Sequence, residues 1–534
     1  MLYTIQRILR LQREVRSSRR FRFLPSTLQI RFSSGSIRFF TGPPWIDLFP
    51  IGDDTTMEQD KKTEKKQAVT RREFIRKAAV TASAAAGVAA VAAKAGAQAP
   101  AGQYEYKNIL PPEVLGANDK IYTGHIGIGG MGRSNLGFVL KRDDMRPVAL
   151  CDIWWKNLMR AEQMAGQKFT DKSFTTHHDF RELLENKDVD AVVIATPDHW
   201  HCLTTLHAAD AGKAIYCEKP CATTIAEGRA MVKKIEDTGV VFQAGNFQRS
   251  MPHFIEAVEL VKSGYLGQVA HVETYIHDGE GTHGIGMGDD DISKFEGIDW
   301  DFHQGWVEHK PFNTNRWIYN FRWFLDYSGG KITDWGAHLV DIALWAMGEF
   351  DNPVKNVVAT GGKYVVQDNR TTPDTLDVAW EFENYTLTFS NRVYNNYLPK
   401  DYQSHGILFH GAKGTMLLHR GGYTIYPVFN DFSEPEPCEE KSATADRLNE
   451  YHWENFVACI RDGAKPNSSV HVIHNTTSVC HMGTCSYVTG AKLGWDPKEQ
   501  KLTGGDSDAV KQANEFAYRP YQNGWSLEAP YHKG

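Results

Sequence analysis

Between residues 120 and 140 the chain reads KIYTGHIGIGGMGRSNLGFVL, a β-branched run that enters glycines and leaves as a helix-like stretch with Leu136, Val139 and Leu140 on one side. Gly127, Gly129 and Gly132 are spaced as G-x-G-x-x-G. Such spacing has a mechanical meaning: the first glycine permits a tight turn, the second lets backbone approach a pyrophosphate, and the third lets helix meet strand. Gly130 and Met131 lie within the same turn. The fingerprint alone is weak, but a second strand-like run, 147–151, ends at Asp152. That is about the distance at which a carboxylate chelates the ribose hydroxyls of a dinucleotide. An acidic residue there repels a 2'-phosphate, so NAD is favoured over NADP, with Arg133 and Lys156 near enough in sequence to leave NADP open.

Alternation continues beyond this unit. Residues 179–185 read as helix, 189–195 as a buried strand, 202–211 as helix and 214–217 as strand. Repeated strand and helix require a parallel sheet with ligands at the carboxyl ends of its strands. Thr196, Pro197 and His201 follow one such end, and Glu218, Lys219 and Pro220 follow the next. Both segments are expected to face the cofactor. After Gly245 the pattern changes to strand-like stretches at 269–276, 354–366, 375–382, 386–393 and 406–419, with short connections that suit antiparallel pairing, and helices at 252–262, 334–347 and 451–462.

These residues resemble the Gfo/Idh/MocA oxidoreductases, on four motifs in order: the glycine fingerprint, T-P-x-x-x-H (Thr196, Pro197, His201), E-K-P (Glu218, Lys219, Pro220) and D-x-x-x-H (Asp334, His338). The resemblance spans about residues 120–500. It implies a doubly wound Rossmann domain at 120–245, followed by an α/β domain at 246–500 on a large, open, mostly antiparallel sheet. Residues 501–534 are expected as a C-terminal tail. The implied activity is NAD(P)-dependent hydride transfer at a carbohydrate or polyol hydroxyl carbon, with the cofactor held tightly.

Removing a hydride from a carbinol leaves a hydroxyl proton to be taken up. The resemblance makes Lys219 the catalytic lysine that polarises the oxygen, gives His338 proton transfer, as the acceptor or as a relay to it, and makes Asp334 its orienting or hydroxyl-binding partner. Asp334 and His338, four apart, would share one face of a helix. Asp341 matches an inositol dehydrogenase pattern and is as well read as a capping residue. Residues 312–324 interleave aromatics with Arg and Asn, a mixture suited to sugar faces and hydroxyls, and Arg316 and Asn320 are expected at the substrate. The histidines at 271, 277, 283, 303 and 309, with the acidic run 289–291, lack a compact ligand motif, and no metal is expected.

Two other functions fit the same fold. A glycoside hydrolase or lyase could use bound NAD through transient oxidation, although the chain differs from that branch in keeping the E-K-P lysine and D-x-x-x-H. A catalytically silent sugar-binding protein would not need Lys219 and His338.

Charge is uneven along the chain. Residues 1–99 hold 18 Lys and Arg against 8 Asp and Glu; of the chain's 59 basic and 65 acidic residues, 41 and 57 fall in the remainder. Such an acidic body repels phosphates and excludes a nucleic-acid surface. Arg71 and Arg72 precede a short Ala-rich run, 78–93, and Ala97-Gln98-Ala99 supplies a small-x-small cleavage pattern. Residues 57–99 thus resemble a twin-arginine export signal, implying the Tat machinery as a partner and an extracytoplasmic or periplasmic location. The run is too short for a permanent membrane span. Residues 1–56 are read as an extension upstream of a natural start at Met57, with an Arg-rich organelle-targeting peptide as the other reading, and 100–119 as an arm. The eight cysteines form no C-x-x-C pair and are expected to be mostly reduced core residues. Open-sheet members of the family associate, so a homo-oligomer is expected.

Overall fold

The computed structural model describes residues 29–33, 36–40 and 120–532, except 172, 280, 349, 398–401, 429–436 and 446–448. The expected export signal and the arm lie outside the described residues. Within 1–56, Gln29–Ser33 and Ser36–Phe40 pair as an antiparallel hairpin. Everything below concerns the compact unit that holds residues 120–532.

Among the described residues the first sheet contains six parallel strands: β1 (Ile121–Ile126), β2 (Met145–Cys151), β3 (Thr175–His177), β4 (Ala191–Ile194), β5 (Ala214–Cys217) and β6 (Phe242–Ala244). Their order is 3-2-1-4-5-6, the doubly wound order with its switch point between β1 and β4. Strands β4 and β5 are buried at every position, as a strand covered on both faces must be. The crossovers are α1 (Gly130–Lys141), α2 (Trp155–Lys168), α3 (Phe180–Glu185), α4 (Asp198–Asp210) and α5 (Ile225–Thr238). Helix α4 starts four residues earlier than its periodicity predicts, because it is buried nearly all round and has no polar stripe to mark its start.

Among the described residues the second sheet has ten strands: β7 (Val269–His277), β8 (Asn356–Gly362), β9 (Thr375–Glu381), β10 (Thr386–Arg392), β11 (His405–Gly411), β12 (Gly414–His419), β13 (Gly422–Pro427), β14 (Lys441–Thr444), β15 (Leu493–Asp496) and β16 (Lys501–Thr503). The order is 14-13-12-11-7-10-9-8-15-16, and only β7 with β10 is parallel. Burial alternates along β9 and β10, so each presents one face to a core and the other outward. The covered face packs on α6 (Pro252–Lys262), α9 (Gly336–Ala346) and α11 (Val470–Thr489), through Phe254, Val340, Ile342, Val479, Trp380 and Phe389. The remaining helices are α7 (Trp300–Gln304), α8 (Lys331–Asp334), α10 (Glu450–Asp462) and α12 (Ser507–Ala517).

Helix α11 joins the two sheets. Val470 and Ile473 sit in the core beside the parallel sheet, while Val479, Cys480 and Met482 belong to the core of the second. Residues 501–532, expected as a tail, contain β16, α12 and a strap stitched to both domains. Tyr521 donates its hydroxyl to Glu227 (2.6 Å), and Asn523 donates to the carbonyls of Gly305 and Val307 (2.8 Å each). All eight cysteines are free thiols, seven buried and Cys438 partly so. Among the described residues no helix is long and apolar enough to cross a membrane.

Trp380 is fully buried under α11, and its indole donates to the Val479 carbonyl at 3.0 Å. Trp380→Ala is expected to cost about 3–5 kcal/mol, read as a lowered urea midpoint. A loss under about 1 kcal/mol would mean that this seam does not hold the second sheet to its helix.

Candidate functional site

The glycine turn forms the first wall of a cavity of about 680 Å³ between the two sheets. Gly127 has φ +79°, and a Cβ there would lie 2.6 Å from the Thr196 amide nitrogen. A Cβ on Gly132 would fall 2.0 Å from the Gly127 carbonyl oxygen, so Gly132 supports the turn without lining the cavity. Cβ atoms on Gly129 and Gly130 would meet nothing within 4 Å, and both residues line the cavity with Met131. Helix α1 therefore points its uncapped N-terminus, with no acidic residue in its first turn, across an open floor.

Asp152 closes one end of this cradle. Its carboxylate accepts from the Ile128 amide (2.7 Å), the Trp154 amide (2.8 Å) and the Asn157 side chain (3.2 Å). Burial raises its pKa, and those bonds and Arg133 oppose the rise. The ends of β4 and β5 supply the next wall. Thr196, Pro197, His201, Glu218 and Lys219 all line the cavity. His201 bridges the two strand ends, its ring contacting the carbonyl oxygens of Pro220 (2.7 Å) and Thr196 (2.8 Å). Glu218 is buried and takes a hydrogen bond from Asn135 of α1 at 2.9 Å.

Lys219 crosses to the second domain. Its ammonium donates to the Asp334 carboxylate at 2.6 Å and to the Asp334 backbone carbonyl at 2.9 Å. Arg322 donates to the other carboxylate oxygen at 3.3 Å. Burial would lift the Asp334 carboxyl, but Lys219, Arg322 and Lys331 outweigh it and hold the group well below the usual carboxylate range. Asp334 ends α8 and His338 lies in the first turn of α9, with Trp335 between the two helices. The expected single helix is thus broken at Trp335, yet both side chains still line the cavity. Neither ring nitrogen of His338 has a hydrogen-bond partner among the described residues, and Nδ1 is fully buried. Burial, then the charges of Lys219 and Arg420, press the imidazole well below its ordinary pKa, leaving it neutral near pH 7.

Three expected substrate residues lie elsewhere. Arg316 is paired with Asp326 at 2.8 Å and stacks on Phe324. Asn320 donates to Asn315. Asp341 is fully buried, held by Arg249 (2.8 Å) and Thr476 (2.9 Å). None of the three lines the cavity. The aromatic and Arg-rich segment does reach it, through neighbouring positions: short 3-10 turns put Tyr319, Phe321 and Arg322 on the cavity side. Helix periodicity cannot anticipate that phase, since the turns are 3-10 and the chain bends between them. Sequence reasoning also missed Arg420, Lys331 and Asp198. Asp198, the first residue of α4, was visible within the T-P-x-x-x-H segment but lacked a signal of its own.

The residues fit a dinucleotide: an open glycine floor at a helix N-terminus for the pyrophosphate, a carboxylate at the end of β2 for the ribose, and a wall from β4 and β5 leading to Lys219.

Asp198 is buried and accepts a hydrogen bond from the Ser328 hydroxyl at 2.5 Å. Burial lifts its carboxyl to about 7, against the pull of Ser328 and Arg322. The native state therefore keeps a proton that the unfolded chain gives up near pH 4, and the contribution to stability falls as pH rises from about 4 to 7. Asp198→Asn should remove that fall, so the melting temperature of the variant gains on the native protein across this window. Parallel melting curves at every pH would contradict the assignment.

Comparison with known proteins agrees with this geometry. Residues 121–246 match the GFO/IDH/MocA model described as an oxidoreductase family with an NAD-binding Rossmann fold, and residues 287–417 match the GFO/IDH/MocA C-terminal domain. A glycosyl hydrolase family 109 protein of Stenotrophomonas maltophilia is 30% identical over 195 residues, 35% of this chain and 42% of that protein. The scyllo-inositol 2-dehydrogenase (NAD(+)) of Bacillus subtilis is 33% identical over 119 residues, 22% of this chain and 34% of that enzyme. The chain thus spans less than half the length of either relative. A solved NAD-binding protein from Listeria innocua shares the fold, with a TM-score of 0.52, 20% identity and coverage of 70% of this chain and 97% of that one. Residues 121–246 and 287–417 thus match the Rossmann and C-terminal domains of the Gfo/Idh/MocA oxidoreductase family.

Proposed function

We propose that the protein is an NAD-dependent dehydrogenase that moves a hydride between the hydroxyl-bearing carbon of a sugar or polyol and its nicotinamide cofactor. The observation that carries this reading is that Lys219, Asp334 and His338 converge in the same cavity that begins at the glycine floor. The nicotinamide, when bound, supplies the hydride acceptor or donor. The chain's own groups manage the proton and the oxygen. The Lys219 ammonium donates a hydrogen bond to the substrate oxygen and stabilises the negative charge that grows there as the proton leaves. The neutral His338 imidazole accepts that proton, and returns it in the reverse direction. Asp334, by accepting two ways from Lys219, fixes the ammonium's direction. Asp152 in place of a cationic side chain favours NAD over its 2'-phosphate form.

Similarity to a glycosyl hydrolase family 109 protein gives a second reading, in which oxidation is transient and a glycosidic group leaves before the cofactor is restored. Products separate the two: net dehydrogenation yields a keto sugar with equimolar NADH, and recycling yields free sugar with none. For location we propose Tat export through Arg71 and Arg72, which would carry the folded protein out with its cofactor. We also propose self-association through the open face of the ten-stranded sheet, where His271, Glu273, Thr388 and Ser390 border a groove.

Lys219→Ala should retain NAD binding and lose about 10²–10⁴-fold in turnover, followed as NADH absorbance; unchanged turnover would refute the lysine's role. For export, the double variant R71K/R72K should stay in the cytoplasmic fraction when the full chain is expressed in a bacterium with a Tat pathway. Equal periplasmic yield from both forms would exclude that route.

A further inference from the structure

The cavity wall beside His338 is richer in cations than the hydride reaction requires. Lys219, Arg322, Lys331 and Arg420 all line it, with the carboxylates of Asp334, Asp198 and Glu218 among them and Asp278 behind paired to Lys331. Lys219 and Arg322 are held by Asp334, and Lys331 by Asp278. The fourth cation, Arg420, has no carboxylate partner among the described residues. This occurs in a chain whose body is acidic overall.

Arg420 is thus the cation left over. This residue follows β12 in the turn to β13, and its guanidinium is wedged between two rings, 4.9 Å from the centroid of Phe247 and 4.6 Å from that of Trp335. Its hydrogen bond in the structure is from Nε to the amide oxygen of Gln248 at 3.3 Å. No carboxylate pairs with it among the described residues. Burial draws its pKa down to about 10, and Asp334 is the opposing charge. A largely buried guanidinium without an anion is costly to keep, so its remaining donors await a partner. His338 packs against the same two rings, 5.4 Å from Phe247 and 5.9 Å from Trp335 between centroids. The proton acceptor and the spare guanidinium therefore share one aromatic shelf.

Resting on the dehydrogenase reading, we propose that the substrate is a carboxylate-bearing sugar, a uronic or aldonic acid, whose carboxylate is gripped by Arg420 while the hydroxyl to be oxidised lies between Lys219 and His338. A planar carboxylate matches the guanidinium fork. Arg322 is already engaged by Asp334, so Arg420 is the cation that remains to match the single charge of a carboxylate. Arg420 is thus a specificity-determining residue for the anionic end of the substrate.

The test uses the full chain with NAD and a panel of hexuronates and aldonates, each beside its neutral sugar and the sugar 6-phosphate. The acids should exceed the neutral sugars by about 10- to 100-fold in kcat/KM, the range of one charge-assisted contact. Arg420→Gln should abolish that preference mainly through KM for the acids, and Arg420→Lys should restore part of it. Fluorescence titration of the NAD-loaded protein provides a second readout independent of turnover: the acids should bind saturably, and Arg420→Gln should not bind them. Equal or better use of neutral sugars, a preference for the phosphates, or a preference that survives Arg420→Gln would overturn the proposal while leaving a dehydrogenase standing. Arg420-dependent binding of the acids without any NAD reduction would uphold the carboxylate grip and sink the dehydrogenase reading.

Discussion

The contact between Lys219 and Asp334 organises the molecule. One partner follows a strand of the parallel sheet by two residues and the other ends a short helix that packs under the second sheet, 115 residues later in the chain. Placing an ammonium and a carboxylate out of water is expensive, and their mutual attraction repays the cost only where geometry is close and the remaining hydrogen-bonding capacity is used. Here the ammonium reaches both the carboxylate and the backbone carbonyl of one residue, and Arg322 takes the second carboxylate oxygen. Removing either partner of such a pair commonly costs about 3–5 kcal/mol, so the two domains are held where their chemistry meets.

The position of His338 follows from the same contact. With Asp334 fixed at the end of α8, the chain turns at Trp335 and starts α9, and the imidazole arrives over the cavity within its first turn. Burial, helped by the nearby cations, then keeps it neutral, and Phe247 and Trp335 pack against its ring. The unpaired Arg420 at this end of the cavity opposes the charge of the chain as a whole. That contrast is informative, because a surface sets solubility through its net charge while a site selects by its local one.

Much of the parallel sheet was legible because its signals are local: the glycines must stand where a turn and a close approach need them, and Asp152 must follow β2. Lys219, Asp334 and His338 were legible through motif order, and the structure brings all three to one cavity. The second domain was read less completely. Helix α11 has the sequence VHVIHNTTSVCHMGTCSYVT, rich in β-branched and Thr residues of low helix propensity and buried on nearly every side, so neither composition nor period marks it as helix. Strands β13 to β16 are short and flank the sheet, and tertiary pairing decides them. Arg316 and Asn320 were misplaced because 3-10 turns shift which residues of their segment face inward. Arg420 carried no motif at all; its significance comes from neighbours more than 80 residues away, Trp335 and Phe247.

The most direct test of the account is a crystal structure of the protein grown with NAD. The pyrophosphate should lie on Gly129 and Gly130, the ribose on Asp152, and the nicotinamide in the space bordered by Lys219 and His338. A dinucleotide bound elsewhere, or a nicotinamide turned away from both side chains, would contradict it.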